Sequence, residues 1–191
     1  MKTDRLEAFS DGVMAIIITI MVLELKIPHS TEFEDLKPVI PTFLSYVLSF
    51  IYVGIYWNNH HHLFQAVEQV NGKVLWANLF LLFCLSLFPF STAWLGENHI
   101  ATVPVVLYGV FLLLAAFAWY ILARYLIELH GKESTIAIAY GNDWKGKLSV
   151  FVYLIAILFG FFYPWVSIIL YMAVALSWFI PDTRIEKNLN S

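Results

Sequence analysis

Polar residues along this chain come in short clusters separated by long apolar runs. The first cluster, "RLEAFSD" at 5–11, is followed by "GVMAIIITIMVL", a dozen residues with one polar side chain, Thr19. Crossing ~30 Å of hydrocarbon takes about 20 apolar residues. Four runs reach that length, at 6–27, 42–63, 74–95 and 104–125, the last with Pro104 where a proline suits a helix start. A fifth apolar stretch, 148–180, is too long for one span. It is interrupted at "FYPW", where Pro164 cannot continue a helical hydrogen-bond ladder. That stretch reads as a tight hairpin of two short spans. The pattern predicts an all-α integral membrane protein of six transmembrane helices, one unit over residues 1–191 without a close internal repeat.

Composition agrees with the solvent that the pattern implies. The chain is 60% hydrophobic and 13% charged, outside the usage of soluble domains. Charge placement then orients it, because cytoplasmic loops collect Lys and Arg. Six spans put Lys2, Arg5, Lys73, Arg124, Lys132, Lys145, Lys147, Arg184 and Lys187 on one side and only Lys26 and Lys37 on the other, which accounts for all 11 basic residues. A five-span reading would move Arg184 and Lys187 across and weaken the bias. Both termini are therefore expected in the cytoplasm of a cell whose plasma membrane the chain crosses. The first apolar run opens with Arg5 and Asp11 and has no small-residue cleavage site before Pro28, so the first helix is expected to stay in the mature chain. One cysteine, Cys84, excludes an internal disulfide framework, and a net charge of −3 gives no basic patch for nucleic acid.

The first helix has two faces. At 100° per residue, Ile16, Ile20 and Leu23 fall on one stripe, with Thr19 about 60° to one side of Ile16 and Asp11 about 140° away. The topology brings "RLEAFSD", "YWNNHHHLF" and "LWANLF" to one membrane level. Arg5, Ser10, Asp11, Trp57, Asn58, His60, His61 and Asn78 can then form a hydrogen-bonded layer. Spacing alone leaves a second reading open, a belt of Trp and His lying in the headgroup region. It also leaves the Ile stripe open to ordinary helix packing, with Thr19 bonded to a carbonyl one turn back.

Arg5, then three residues, then Phe9-Ser10-Asp11, followed by "GVMAIIITIMVLEL", resembles the R-x-x-x-F-S-D signature of the endosomal and lysosomal potassium channel family and its prokaryotic homologues. The Trp/His stretch ending the second span and "NLFLLFCLSLFPFSTAW" in the third are similar to the family segments that follow. The resemblance implies a homotetramer with helix 1 of each copy around a central pore, and no T-V-G-Y-G filter loop; none occurs here. It implies that Ile16, seven residues after Phe9, is the main constriction, that Ile20 and Leu23 continue the apolar lining, and that Thr19 is a threonine layer that prefers potassium. Arg5, Phe9, Ser10 and Asp11 would tie helix 1 to helices 2 and 3 through Trp57, His60, His61 and Asn78. The implied partners are potassium ions, the lipid bilayer and copies of the same chain, with no cofactor.

Other classes fit less well. The imidazoles of "NHHH" at 59–62 suggest a membrane metalloenzyme, but adjacent histidines on a helix point about 100° apart, and a single metal site favours spacings of three or four. A secondary transporter should show inverted repeats with paired helix breaks. Pro89 in "SLFPFST" has no counterpart in a symmetry-related position. No nucleophile elbow or phosphate loop is present, so no enzyme activity is expected. Glu24, near the far end of helix 1, reads equally as a cation-concentrating group, a salt-bridge partner or a solvated side chain.

Overall fold

A computed structural model describes residues 2–28, 31–140 and 143–179. The expected end of the last span at Ile180 and the basic residues Arg184 and Lys187 lie outside the described residues.

Among the described residues the chain is helical throughout, with no strand. Helix α1 covers Asp4–Leu23, and a 3-10 turn at Phe33–Val39 leads into α2, Ile40–Gln65. The third apolar run is divided into α3, Gly72–Ser86, and α4, Phe88–Glu97. Pro89 has no N–H to continue the ladder, so the helix is re-started at Leu87. Helix α5, Thr102–His130, runs one turn beyond the predicted span and ends at Gly131, whose φ of 88° suits a residue without a β-carbon.

The segment expected to be a long polar connection contains a short helix, α6, Thr135–Tyr140, which inserts the fully buried Ile136 into the bundle. The hairpin appears as α7, Trp144–Gly160, and α8, Pro164–Trp178, joined at 161–163, with Pro164 opening α8. Among the described residues four segments are long and apolar enough to cross a membrane: Asp4–Leu23, Phe33–Gln65, Gly72–Glu97 and Thr102–His130. At 1.5 Å per residue, the 17 and 15 residues of α7 and α8 extend only about 26 and 22 Å.

Helix α5 is the hub, packed against α3, α4, α7 and α8, while α1 packs mainly against α2, α3 and α4. The core is built around four buried tyrosines, Tyr52, Tyr108, Tyr153 and Tyr171, each of whose hydroxyls finds a partner. Tyr52 donates to the Tyr171 carbonyl at 2.7 Å, Tyr153 donates to the Tyr52 hydroxyl at 3.3 Å, and Tyr171 donates to the Val105 carbonyl at 3.2 Å. Tyr108 and Ser49 share a bond of 3.0 Å, and Thr92 donates to Ser49 at 2.7 Å. Gly109 is required here, since a β-carbon would collide with the Tyr171 hydroxyl.

Candidate functional site

Helix α1 buries one stripe only: Leu6, Ser10, Met14, Ile17 and Met21, at spacings of four, four, three and four. Among the described residues nothing is packed on the opposite face. Ile16 is 58% exposed, Ile20 42% and Leu23 80%, and Thr19 is exposed between them. All four residues assigned to the pore therefore share the unpartnered face. Gly12 and Ala15 are also exposed and leave the N-terminal half of that face narrow in side-chain bulk.

Thr19 Oγ1 donates to the Ile16 carbonyl at 2.9 Å. That is the backbone bond anticipated for a packing threonine. It consumes the hydroxyl hydrogen, not the lone pairs, and those are what a cation binds.

The buried face carries a relay whose polarity can be worked out from one end. Ser10 Oγ donates to the Leu6 carbonyl at 2.8 Å, so its oxygen is left to accept from Asn78 Nδ2 at 2.9 Å. Asn78 then presents Oδ1 to His60 Nε2 at 2.9 Å. A carbonyl oxygen can only accept, so His60 carries its proton on Nε2. Ser10, Asn78 and His60 are at most 2% exposed. The relay joins α1, α3 and α2 in sequence.

A second tie lies at the surface, where Trp57 Nε1 donates to Asp11 Oδ1 at 3.0 Å. His61 is not part of the buried relay: it stacks on Trp57 with centroids 6.2 Å apart and shares a 2.8 Å bond with Gln65. Of the residues expected to tie helix 1, Arg5 is exposed with no ion pair among the described residues, and Phe9 is 55% exposed. Phe9 sits about 100° from Ser10, which turns it away from α2 and α3.

At the far end of α1, Lys26 pairs with Glu97 at 2.6 Å and links the segment after α1 to α4, while Glu24 is exposed at the end of the helix. Reasoning from sequence missed the Tyr52, Tyr108, Tyr153 and Tyr171 network. The available signal was four tyrosines inside apolar spans, each needing a hydroxyl partner. No group of three or more His, Cys, Asp or Glu is placed to hold a metal among the described residues.

Three comparisons bear on this geometry. The family model of the endosomal/lysosomal potassium channel TMEM175 matches residues 5–89, from the start of α1 through the break between α3 and α4. A potassium channel of Chryseobacterium sp. is 54% identical over 189 residues, covering 99% of this chain and 98% of that protein. The endosomal/lysosomal proton channel TMEM175 of Danio rerio is 30% identical over 135 residues, covering 68% of this chain and 25% of that one. The crystal structure of a lysosomal potassium-selective channel TMEM175 homologue from Chamaesiphon minutus superposes with a TM-score of 0.78 at 27% identity, covering 94% of this chain and 97% of that chain.

Proposed function

Because this chain belongs to the endosomal/lysosomal potassium channel TMEM175 family, we propose that it is a potassium-preferring cation channel of the plasma membrane. Four copies would meet along α1, each crossing the membrane six times with both termini in the cytoplasm. The family and the relatives named above are ion channels and not enzymes.

The observation that carries the reading is the unpartnered face of α1. A membrane helix that turns Ile16, Thr19, Ile20 and Leu23 away from its own bundle either faces lipid or meets copies of itself. The apolar residues alone would suit lipid equally well. Thr19 supplies the asymmetry, since a hydroxyl gains nothing from acyl chains and gains cation contacts on a symmetry axis.

On that axis four Ile16 side chains form an apolar neck that resists wetting, so passage there carries an uncompensated dehydration cost. One turn outward, four Thr19 oxygens replace part of the ion's hydration shell. Their orientation is set in advance by the bond to the Ile16 carbonyl. The Thr19 layer thus acts as a weak filter above a hydrophobic gate. Asp11 lies on another face and anchors Trp57 without touching the ion.

The test is flux through the purified protein in liposomes, with potassium, sodium and proton gradients imposed in turn. The proton arm follows from the name of the Danio rerio relative. Potassium flux exceeding sodium flux is the expected result, and no flux of any ion would remove the channel reading. Mass measurement in nanodiscs tests assembly separately, with four copies expected.

A further inference from the structure

A cavity of about 690 Å³ opens between α2, α5 and α7, within the ~300–1,000 Å³ of sites that hold a ligand. No residue of α1 lines it, so it is separate from the face assigned to conduction. Its walls change character with depth. Arg124 and Lys147 stand at the basic end of the bundle, and Asp143 shares that rim while its Oδ1 accepts the Gly146 N–H at 2.9 Å.

Further in is Tyr56, whose hydroxyl has no hydrogen bond among the described residues. Its ring is held edge-on to Trp119 with centroids 6.1 Å apart. Deeper still the lining is Leu113, Phe117 and Leu154. From Arg124 to Leu113 along α5 is about 16 Å, and from Lys147 to Leu154 along α7 about 10 Å. The depth along α5 is about one leaflet's share of a ~30 Å hydrocarbon core, and that along α7 lies within it. Phe117 and Leu154 are 53% and 47% exposed, so the apolar part opens sideways, toward the bilayer.

We propose that this cavity holds one anionic phospholipid from the leaflet at the basic end, which is the cytoplasmic leaflet by the distribution of Lys and Arg. The Arg124 guanidinium, now 6.0 Å from the Tyr120 ring centroid, offers a planar fork that fits a phosphate. Lys147 supplies a second positive charge. The Tyr56 hydroxyl donates to an ester carbonyl below the headgroup, and an acyl chain runs along Leu113, Phe117 and Leu154. Among the described lining residues two cations stand against one carboxylate, Asp143, so their sum is positive. An anionic headgroup is therefore preferred over a zwitterionic one.

Native mass spectrometry of the full chain reads the retained lipid after exchange into equimolar phosphatidylglycerol and phosphatidylcholine with identical acyl chains. About a tenfold preference for phosphatidylglycerol is expected, since each basic group contributes a few-fold and Asp143 opposes them. The double variant Arg124→Gln/Lys147→Gln should lose that preference. Lys147→Gln alone, at an exposed position that folding tolerates, should lower it a few-fold. Ala116→Trp, which fills the cavity from its own wall, should reduce retention of both lipids. Equal retention of the two lipids by the wild type, no change in Lys147→Gln, or undiminished retention in Ala116→Trp would overturn the proposal. So would a cross-link from Phe117 to a second copy with no lipid retained, because the cavity would then be an interface between subunits.

Discussion

Replacing Asn78 by alanine removes the middle of the buried relay. Two interhelical bonds disappear together, Asn78 to Ser10 at 2.9 Å and His60 to Asn78 at 2.9 Å. Measured interhelical hydrogen bonds in membranes average ~0.6 kcal/mol with a maximum of ~1.7. Two of them would give roughly 1 to 3 kcal/mol. The loss is not symmetric between the partners. Ser10 keeps its bond to the Leu6 carbonyl, whereas the His60 Nε2–H faces a cavity with nothing to accept it. An unmet buried donor costs about 1 to 3 kcal/mol by itself, so Asn78→Ala should fall in the upper half of that range, about 2 kcal/mol. The assay is unfolding in mixed micelles, titrated with a denaturing detergent and followed by tryptophan fluorescence. The double variant His60→Phe/Asn78→Leu separates the two causes, because it removes the stranded donor along with its acceptor and should recover about half of the loss. If Asn78→Ala stayed within about 0.5 kcal/mol of wild type, or if the double variant were less stable than Asn78→Ala, the assignment of donor and acceptor along the relay would be wrong.

Asp11→Ala removes one bond to the half-exposed Trp57, so it should cost no more than about 1 kcal/mol and leave ion preference unchanged; altered selectivity in a fully assembled protein would contradict its placement away from the conducting face. Ile16→Asn should wet the apolar neck and raise single-channel current in planar bilayers, and an unchanged current would return Ile16 to a lipid-facing or packing role. Thr19→Val keeps the shape of the side chain and removes its oxygen, so the reversal potential under opposed potassium and sodium should move toward zero, while Thr19→Ser should retain the preference. A selective wild type whose selectivity survives Thr19→Val would refute the filter.

The run lengths and the break at Pro164 were legible because membrane insertion imposes them locally: about 20 apolar residues per span, and no helical hydrogen bond from a proline nitrogen. The restart of the third run at Leu87 was signalled by Pro89, yet a proline inside a span can also be accommodated as a kink, and sequence does not distinguish the two. Helix α6 was hidden because six residues carry too little periodicity to register, and its one firm contact, Ile136, is fixed by tertiary packing. The relay was legible as a set of residues at one level. Which of His60 and His61 enters it depends on a 100° difference in helix phase that only the packing of α2 against α3 decides.

The two faces of α1 are mechanically one feature. Taking Ser10 as origin, Met14, Ile17 and Met21 lie within about 40° of it, while Ile16, Thr19 and Leu23 lie about 120° to 180° away. Whatever fixes the rotation of α1 at Ser10 therefore also fixes where the exposed stripe points. Apolar contacts do this poorly, since Met14, Ile17 and Met21 are flanked by other apolar residues that could substitute after a one-residue roll. The Ser10–Asn78–His60 relay cannot slip in that way, because a roll of 100° in one direction would bring Phe9 to Asn78 and leave the amide without its acceptor, and in the other would bury the Asp11 carboxylate there and break its bond to Trp57. A serine buried near the N-terminal end of α1 thus keeps Thr19, nine residues further along, facing away from the bundle. This gives the polar foot of α1 a role that needs no contact with an ion: it sets the angular register on which any conducting face would depend.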